Sequence, residues 1–289
     1  MEYKNQHFVT ESYIKAWCDP QTPNGAFVWV VSKDSRIINR KSPKSLFAEE
    51  DFYTVSDSSG QRILALEHKL HEIENKFILL RNRKLQKHQP LTPQDRRNIA
   101  LFIATMFART KRQKEEGKQI WKEYLEFINS LPPELSMVIK HTEEYKQVQS
   151  VFLTQPMPYH LFHFVNMTAP YLFLLNCAIY ETKTKPGLIT SDNPCFWFDP
   201  AIFGSSYTFP FYGIGSPTLN ILFPISPKQY LSLQRNGPDG YIELQTNPNT
   251  EIELIDLMNG FTATNCGEFI VVNQKTFKEK WFDESLPTR

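Results

Sequence analysis

The chain has 289 residues, of which 41% are hydrophobic, 22% charged and 13% aromatic. A chain of this length and aromatic content can bury its own core, which excludes an intrinsically disordered protein. Its 32 basic and 31 acidic side chains give a formal net charge of +1. The sequence therefore lacks the overall charge of a general nucleic-acid binder, although a local basic patch would be compatible with it.

The cysteines and the N-terminal residues predict a cytoplasmic protein. The cysteines form no Cys-x-x-Cys pair, and polar residues stand where a secretory leader would begin. Both features fit a reducing compartment in which thiols are buried as small apolar groups. The four cysteines are Cys18, Cys177, Cys195 and Cys266.

Short elements are predicted first along the chain. A helix is expected at 12–17, a turn at 19–25, and strands at 26–33 and 51–55. The strand at 26–33 is indicated by its β-branched and aromatic residues.

Helices are predicted for the middle of the chain. The segment 61–83 has apolar residues at alternating spacings of three and four, which draw one stripe along a helix. A second helix is predicted to begin with a capping box, formed by Thr92, Pro93 and Asp95. We expect the two helices to pack antiparallel. Further helices are expected at 134–150 and at 115–129, with Ile120, Trp121, Tyr124 and Phe127 facing inward.

The apolar run 161–180 is long enough to span a bilayer. Because desolvating its polar residues would be costly, we predict a helix that ends near Pro170, followed by a buried strand. The interrupting residues are His163, Asn166, Thr168, Pro170 and Asn176.

Strands are predicted for the last third of the chain. Segment 236–240 is rich in Gly and Pro, as is typical of a hairpin turn. Segment 250–261 is typical of an amphipathic helix. Strands are expected at 174–181 and 188–190, joined by a Lys-Pro-Gly turn, and at 220–223, 229–234, 241–245 and 268–273.

These elements predict an α+β fold in one domain, 1–289. The helical middle, about 61–170, would pack on a mostly antiparallel sheet. That sheet would be built largely from the C-terminal third plus an N-terminal strand, so the strand-rich part comprises about 171–289 with 1–56.

Arg109 continues the apolar stripe of the Thr92 helix, three residues beyond Met106. Its guanidinium cannot lose its charge, so a buried Arg109 needs a carboxylate, carbonyl groups or an anionic ligand. A structural salt bridge is favoured over a ligand contact. Glu74, near the middle of the preceding helix, is the first candidate partner.

Three histidine-containing patterns could carry chemistry. Glu67, His71 and Glu74 share a helix face, which could hold a metal but is also typical of a solvated rim. His7 fits a core histidine better than a functional one. His160 and His163 lie three residues apart with no third local ligand.

The segment 188–198 runs from a strand into Ser191-Asp192-Asn193-Pro194. Asp192 or Asn193 could cap its own backbone in an Asx turn, or Asp192 could face Arg109 or a ligand. The two interpretations are nearly even. The sequence has no Gly-rich phosphate loop, Gly-x-Ser-x-Gly elbow, His-Glu-x-x-His or zinc framework.

Several motifs resemble those of the bacterial domain-of-unknown-function family DUF4238. They are Gln6-His7-Phe8-Val9 with Tyr13-Ile14 and Trp17, Glu50-Asp51-Phe52-Tyr53, Ile73-Glu74, Phe102 to Arg109-Thr110, Ile189-Thr190-Ser191-Asp192-Asn193-Pro194, Phe223-Pro224-Ile225-Ser226-Pro227 and Met258-Asn259. The chain departs from the family at Thr10, where Pro is usual, and at Trp17, where Phe is usual.

The resemblance implies a bacterial, cytoplasmic protein but supplies no activity, cofactor or partner. The positions that match its motifs are His7, Glu74, Arg109, Asp192, Asn193 and Asn259.

Two hypotheses follow for the function. In the first, these residues converge in one pocket of a phosphoester or nucleotide hydrolase. The catalytic residues would be His7, Glu74 and Asp192, with or without a metal. An anionic ligand would be bound by Arg109, Asn193 and Asn259. In the second, the cluster is structural and the protein is a non-catalytic module that binds a partner, either another protein or a copy of itself.

Overall fold

The structure is a computed structural model that describes residues 5–21, 27–56, 59–146, 149, 156–199, 215–243 and 248–283. Helices and mostly antiparallel sheets both contribute, which confirms the predicted α+β class. The strands are β1 (Asn5–His7), β2 (Val28–Ser32), β3 (Ile38–Lys41), β4 (Ala48–Glu50), β5 (Val55–Ser56), β6 (Arg62–Ile63), β7 (Asn176–Glu181), β8 (Thr190–Ser191), β9 (Phe196–Phe198), β10 (Asn220–Ser226), β11 (Gln229–Gln234), β12 (Gly240–Glu243) and β13 (Phe269–Val272). The helices are α1 (Glu11–Ile14), α2 (Ala65–Arg83), α3 (Pro93–Ala108), α4 (Lys111–Ser130), α5 (Pro133–His141), α6 (Pro156–Phe173) and α7 (Pro248–Asn265), with 3-10 turns at Lys15–Trp17, Pro43–Ser45, Leu85–Lys87 and Glu279–Phe282.

Several predicted boundaries differ from the structure. The strand predicted at 51–55 is wrong except at Val55, which belongs to β5, because Asp51 has a φ of 52° and begins a turn. The pairing of β5 with β6 occupies residues 62 and 63, so α2 begins only at Ala65. The helix predicted at 134–150 is interrupted at Thr142, because α5 ends at His141 and helix resumes at residues 143–146. Residues 22–26, 147, 148, 150, 244 and 245 of other predicted elements lie outside the described residues.

The larger sheet has the strand order β12–β7–β11–β10–β9. All its pairs are antiparallel except β12 with β7, which run parallel from Gly240 opposite Ala178 to Glu243 opposite Glu181. The predicted hairpin between β11 and β12 is therefore wrong. Since β11 already pairs with one edge of β7, the turn carries the chain across the end of β7 to its other edge.

A second sheet joins the two ends of the chain. Its order is β3–β2–β13–β8, with antiparallel pairs throughout. The N-terminal strand β2 joins the C-terminal strand β13 as predicted, with Trp29 opposite Val272.

The core is rich in aromatic rings that connect the helices with both sheets. Phe77 of α2 stacks on Phe102 of α3 with ring centroids 3.8 Å apart. The Tyr13 hydroxyl donates a hydrogen bond to the Pro224 carbonyl of β10 at 2.6 Å and lies 2.8 Å from the Thr190 hydroxyl oxygen of β8. The short helix α1 therefore links the two sheets.

The predicted inward orientation of α4 is wrong for most of its apolar residues. Ile120 and Phe127 are 60% and 59% exposed, and Tyr124 is 39% exposed. The helix instead buries Gly117, beside which the His160 ring of α6 lies. Ile128 is also buried, whereas Ile120 and Phe127 lie on the exposed side of the helix.

The apolar run 161–180 divides as predicted into a helix, α6, and a strand, β7. In the part of the chain that the structure describes, no helix is long and apolar enough to cross a membrane.

The contrast between Phe102 and Phe127 can be tested by substitution. Because Phe102 is fully buried, we expect Phe102→Ala to lower the free energy of unfolding by about 3–5 kcal/mol. Phe127→Ala is the control, with an expected change within about 0.5 kcal/mol. Urea denaturation followed by circular dichroism measures both, and equal losses would contradict the described orientation of α4.

Candidate functional site

A buried ion pair joins the end of α3 to the middle of α2. Arg109 follows α3 as its C-cap and is 0% exposed. Its Nη1 lies 2.6 Å from Oε1 of Glu74, the partner predicted for it. Burial alone would lower the pKa of Arg109, but the neighbouring negative charges, led by that of Glu74, outweigh this effect and raise it.

The N-terminal segment holds the second oxygen of Glu74. The Thr10 hydroxyl donates to Oε2 of Glu74 at 2.9 Å. Because that donation uses the only hydroxyl proton of Thr10, the Ser12 hydroxyl, 2.8 Å away, donates to Thr10. Both carboxylate oxygens of Glu74 are therefore fixed. Sequence reasoning missed Thr10, although it stands where the resemblance expects Pro.

A cavity of about 340 Å³ opens beside this pair. Its wall combines the N-terminal segment with one face of α2, so the spacing of four and three that predicted a common face is confirmed. Arg109 is not among the described residues that line it. The lining includes His7, Thr10, Tyr53, Glu67, His71 and Glu74.

Glu67 has the most unusual environment in this cavity. Within the described residues its Oε1 is buried without a hydrogen-bond partner. Burial raises the pKa of Glu67, and the negative charge of Glu74 raises it further. Glu67 is therefore easier to protonate than a solvent-exposed glutamate. The expected solvated rim does not describe Glu67.

His7 presents one ring nitrogen as an acceptor. Its Nε2 lies 3.1 Å from the Lys44 carbonyl oxygen, which can only accept a hydrogen bond. The proton must therefore be on Nε2, and Nδ1 is the acceptor of the neutral ring. Burial lowers the pKa of His7, which favours that neutral form.

Gln6 and Tyr53 hold His7 in place, and only the family motifs pointed to them. The Gln6 amide accepts from the Tyr53 backbone N–H at 2.7 Å and donates to the Thr54 hydroxyl at 2.9 Å. The Tyr53 hydroxyl in turn donates to the His7 carbonyl at 3.2 Å.

The other three predicted residues lie in a separate cluster between α7 and β8. The Asp192 carboxylate accepts hydrogen bonds from the backbone N–H groups of Gly267, Glu268 and Phe269, at 2.6 to 3.3 Å. It therefore does not face Arg109, and burial raises its pKa despite these bonds.

The two asparagines of that cluster also bind backbone. Asn193 donates to the Asn265 carbonyl at 3.1 Å. Asn259 accepts from the Ile189 N–H at 3.0 Å and donates to the Gly187 carbonyl at 2.9 Å. Among the six predicted residues, the structure thus brings together His7, Glu74 and Arg109, while the other three join α7 to the strand beneath it.

The family comparison matches the same motifs. A family model described as "Protein of unknown function (DUF4238)" covers residues 5–276. The chain belongs to the DUF4238 family. Neither the curated proteins nor the solved structures that were searched include a match to this DUF4238 chain.

The metal interpretation of the α2 face gains no support. Within the described residues of the DUF4238 chain, no group of three or more His, Cys, Asp or Glu side chains is placed to hold a metal ion.

Removing Arg109 tests the importance of the buried pair. We expect Arg109→Ala to lower the free energy of unfolding by about 3–5 kcal/mol, because Glu74 loses the charge that compensates its own. Arg112→Ala is the matched control. It breaks a more exposed pair with Glu116 and should cost about 0.5 kcal/mol or less. Chemical denaturation measures both, and similar losses would contradict a special role for Arg109.

The raised pKa of Glu67 makes a prediction about pH. A carboxyl group with a higher pKa in the folded state binds more protons there, so stability falls as pH rises from its unfolded pKa through its folded pKa. We expect wild type to lose more unfolding free energy than Glu67→Gln between about pH 4 and about pH 7.

Glu72 on the same helix is a control, because its pKa is shifted in the opposite direction to that of Glu67. Lys76 and Lys69 lower its pKa to about 2, so the stability it contributes is lost as pH falls. Glu72→Gln should change the pH dependence weakly and in the opposite direction, because Glu72 is exposed. Identical pH profiles for wild type and Glu67→Gln would show that Glu67 is not perturbed.

Proposed function

We propose that this DUF4238 chain is a hydrolase whose active site is the cavity between the N-terminal segment and α2. His7 acts as the general base and Glu67 as the general acid. One observation carries this proposal: two groups line the same open cavity, an imidazole with a free acceptor nitrogen and a carboxyl group whose Oε1 has no hydrogen-bond partner among the described residues. Acid and base groups of this kind are typical of acid–base catalysis.

The proton transfers follow from these assignments. Nδ1 of His7 takes a proton from water as the water oxygen forms a bond to the electrophilic carbon of the substrate. The bond from that carbon to the leaving oxygen breaks, and Glu67 gives its proton to that oxygen. A proton passes from His7 through solvent back to Glu67, so the reaction consumes one water and restores both groups.

Glu74 and Arg109 have a different role in this proposal. A charged Glu74 close to Glu67 makes ionisation of Glu67 less favourable, which keeps a proton available on the acid. Arg109 acts as a positioning residue, because it is fully buried and holds Glu74.

The charges of the cavity favour an uncharged substrate. Glu11, Glu67 and Glu74 line it together with Lys15, and Lys15 already pairs with Glu11 at 2.9 Å. Lys15 and, behind the wall, Arg109 are both committed to carboxylates, so among the described residues neither cation is left to neutralise a phosphate. The phosphoester or nucleotide class expected from the sequence is therefore less favoured than a neutral carboxylic ester or glycoside.

A cytoplasmic location is part of the same proposal. All four cysteines are free, as is usual for proteins of a reducing compartment.

A panel of chromogenic substrates tests the hydrolase proposal. We expect turnover of p-nitrophenyl esters or glycosides, and little turnover of p-nitrophenyl phosphate. His7→Gln and Glu67→Gln should each lower kcat by at least about 100-fold, because each removes one proton-transfer group.

The controls change equivalent residues away from the cavity. Glu72→Gln on α2 and His141→Gln on α5 should keep kcat within about twofold, since both side chains are exposed. Absence of turnover with all substrates, or turnover that survives both catalytic substitutions in folded protein, would contradict the proposal. Preference for the phosphate ester would overturn the assigned substrate class.

A further inference from the structure

A second and larger cleft, of about 860 Å³, lies at the far end of the five-stranded sheet. The segment that follows β7 forms one wall, and the turn between β10 and β11 forms the other. Its volume is within the range of small-molecule binding sites. We call it the lysine cleft because Lys183, Lys185 and Lys228 line it.

The three lysines of the cleft carry charge that nearby carboxylates do not neutralise. In the described ranges, none of the ion pairs involves Lys183, Lys185 or Lys228. The two acidic groups close by have other partners.

Glu181 lies 2.8 Å from Nε2 of His88. The Glu251 carboxylate accepts from the Thr182 hydroxyl at 2.6 Å and from the Lys183 backbone N–H at 3.1 Å. The ammonium groups of the three lysines outnumber these two carboxylates, so the cleft has a net positive charge in a chain whose overall charge is close to neutral.

A buried amide provides a second, independent feature. Gln229 lines the cleft and is only 2% exposed. Its Nε2 donates to the Leu85 carbonyl at 3.1 Å, which fixes the orientation of the amide. Within the described residues its Oε1 has no hydrogen-bond partner. An unpaired buried acceptor is costly, and an N–H donor of a ligand would remove that cost.

The two walls of the cleft are held at a fixed separation. The Thr182 N–H donates to the Lys228 carbonyl and the Leu188 N–H donates to the Pro227 carbonyl, each at 2.8 Å. Gly187 has a φ of 84°, and a Cβ there would lie 2.4 Å from the Pro227 oxygen. Only glycine allows this approach, so the cleft is formed before any ligand binds.

We propose that the lysine cleft binds a nucleoside phosphate. The phosphate groups would contact the three ammonium groups, and an amino group of the base would donate to Oε1 of Gln229. Lysine binds phosphate as a mobile point charge, which suits a flexible polyphosphate chain. The proposal is independent of the hydrolase assignment, because the two cavities share no residue among those described as lining them.

Isothermal titration calorimetry with ATP and with inorganic tripolyphosphate tests the proposal. We expect one ATP to bind per chain, with an affinity that falls as salt rises, and tripolyphosphate to bind at least about tenfold more weakly because it cannot reach Gln229. The double variant Lys185→Ala/Lys228→Ala removes two of the three ammonium groups and should weaken ATP binding by at least about tenfold.

The control variant is Lys122→Ala/Lys140→Ala, which removes the same charge from α4 and α5 and should change ATP affinity by less than about twofold. Thermal denaturation confirms that both variants fold. No ATP binding by wild type, or equal ATP binding by both double variants, would overturn the cleft as the binding site. Equal affinity for ATP and tripolyphosphate would overturn the nucleoside assignment.

Discussion

The burial of a permanent positive charge at the end of α3 is the constraint on which the rest of this structure depends. Arg109 is 0% exposed and cannot release its proton, so a carboxylate must stand beside it. Glu74 meets this requirement from α2, and Thr10 completes the hydrogen bonding of Glu74 from the N-terminal segment. One charge thus determines how three separate parts of the chain come together.

The same requirement determines the chemistry of the neighbouring cavity. The carboxylate that pairs with Arg109 also acts on a second carboxyl group nearby. Glu67 lies on the same face of α2, where burial and the negative charge of Glu74 raise its pKa. His7 adds a neutral imidazole that two backbone-linked side chains, Gln6 and Tyr53, keep in position.

Sequence periodicity predicted the parts of the fold that depend on a helix face. It placed Arg109 in the core and named Glu74 as its partner, because both conclusions require only helical spacing. It failed for α4, since the approach of His160 over Gly117 decides which side of that helix is buried. It also failed for β12, whose neighbour is chosen by the free edge of β7. The position of Asp192 depended on backbone N–H groups that follow α7, which no local pattern of side chains encodes.

The pairing of β2 with β13 has a consequence for synthesis of the chain. Val28 to Ser32 leave the ribosome long before their partners around Val272. Pairing with β3 can satisfy one edge of β2 soon after its synthesis, but the second edge stays open until β13 has been synthesised. A chain that lacks β13 therefore exposes an unpaired strand edge that can bind other chains, and its yield in a cell should depend on molecular chaperones more than its final stability suggests.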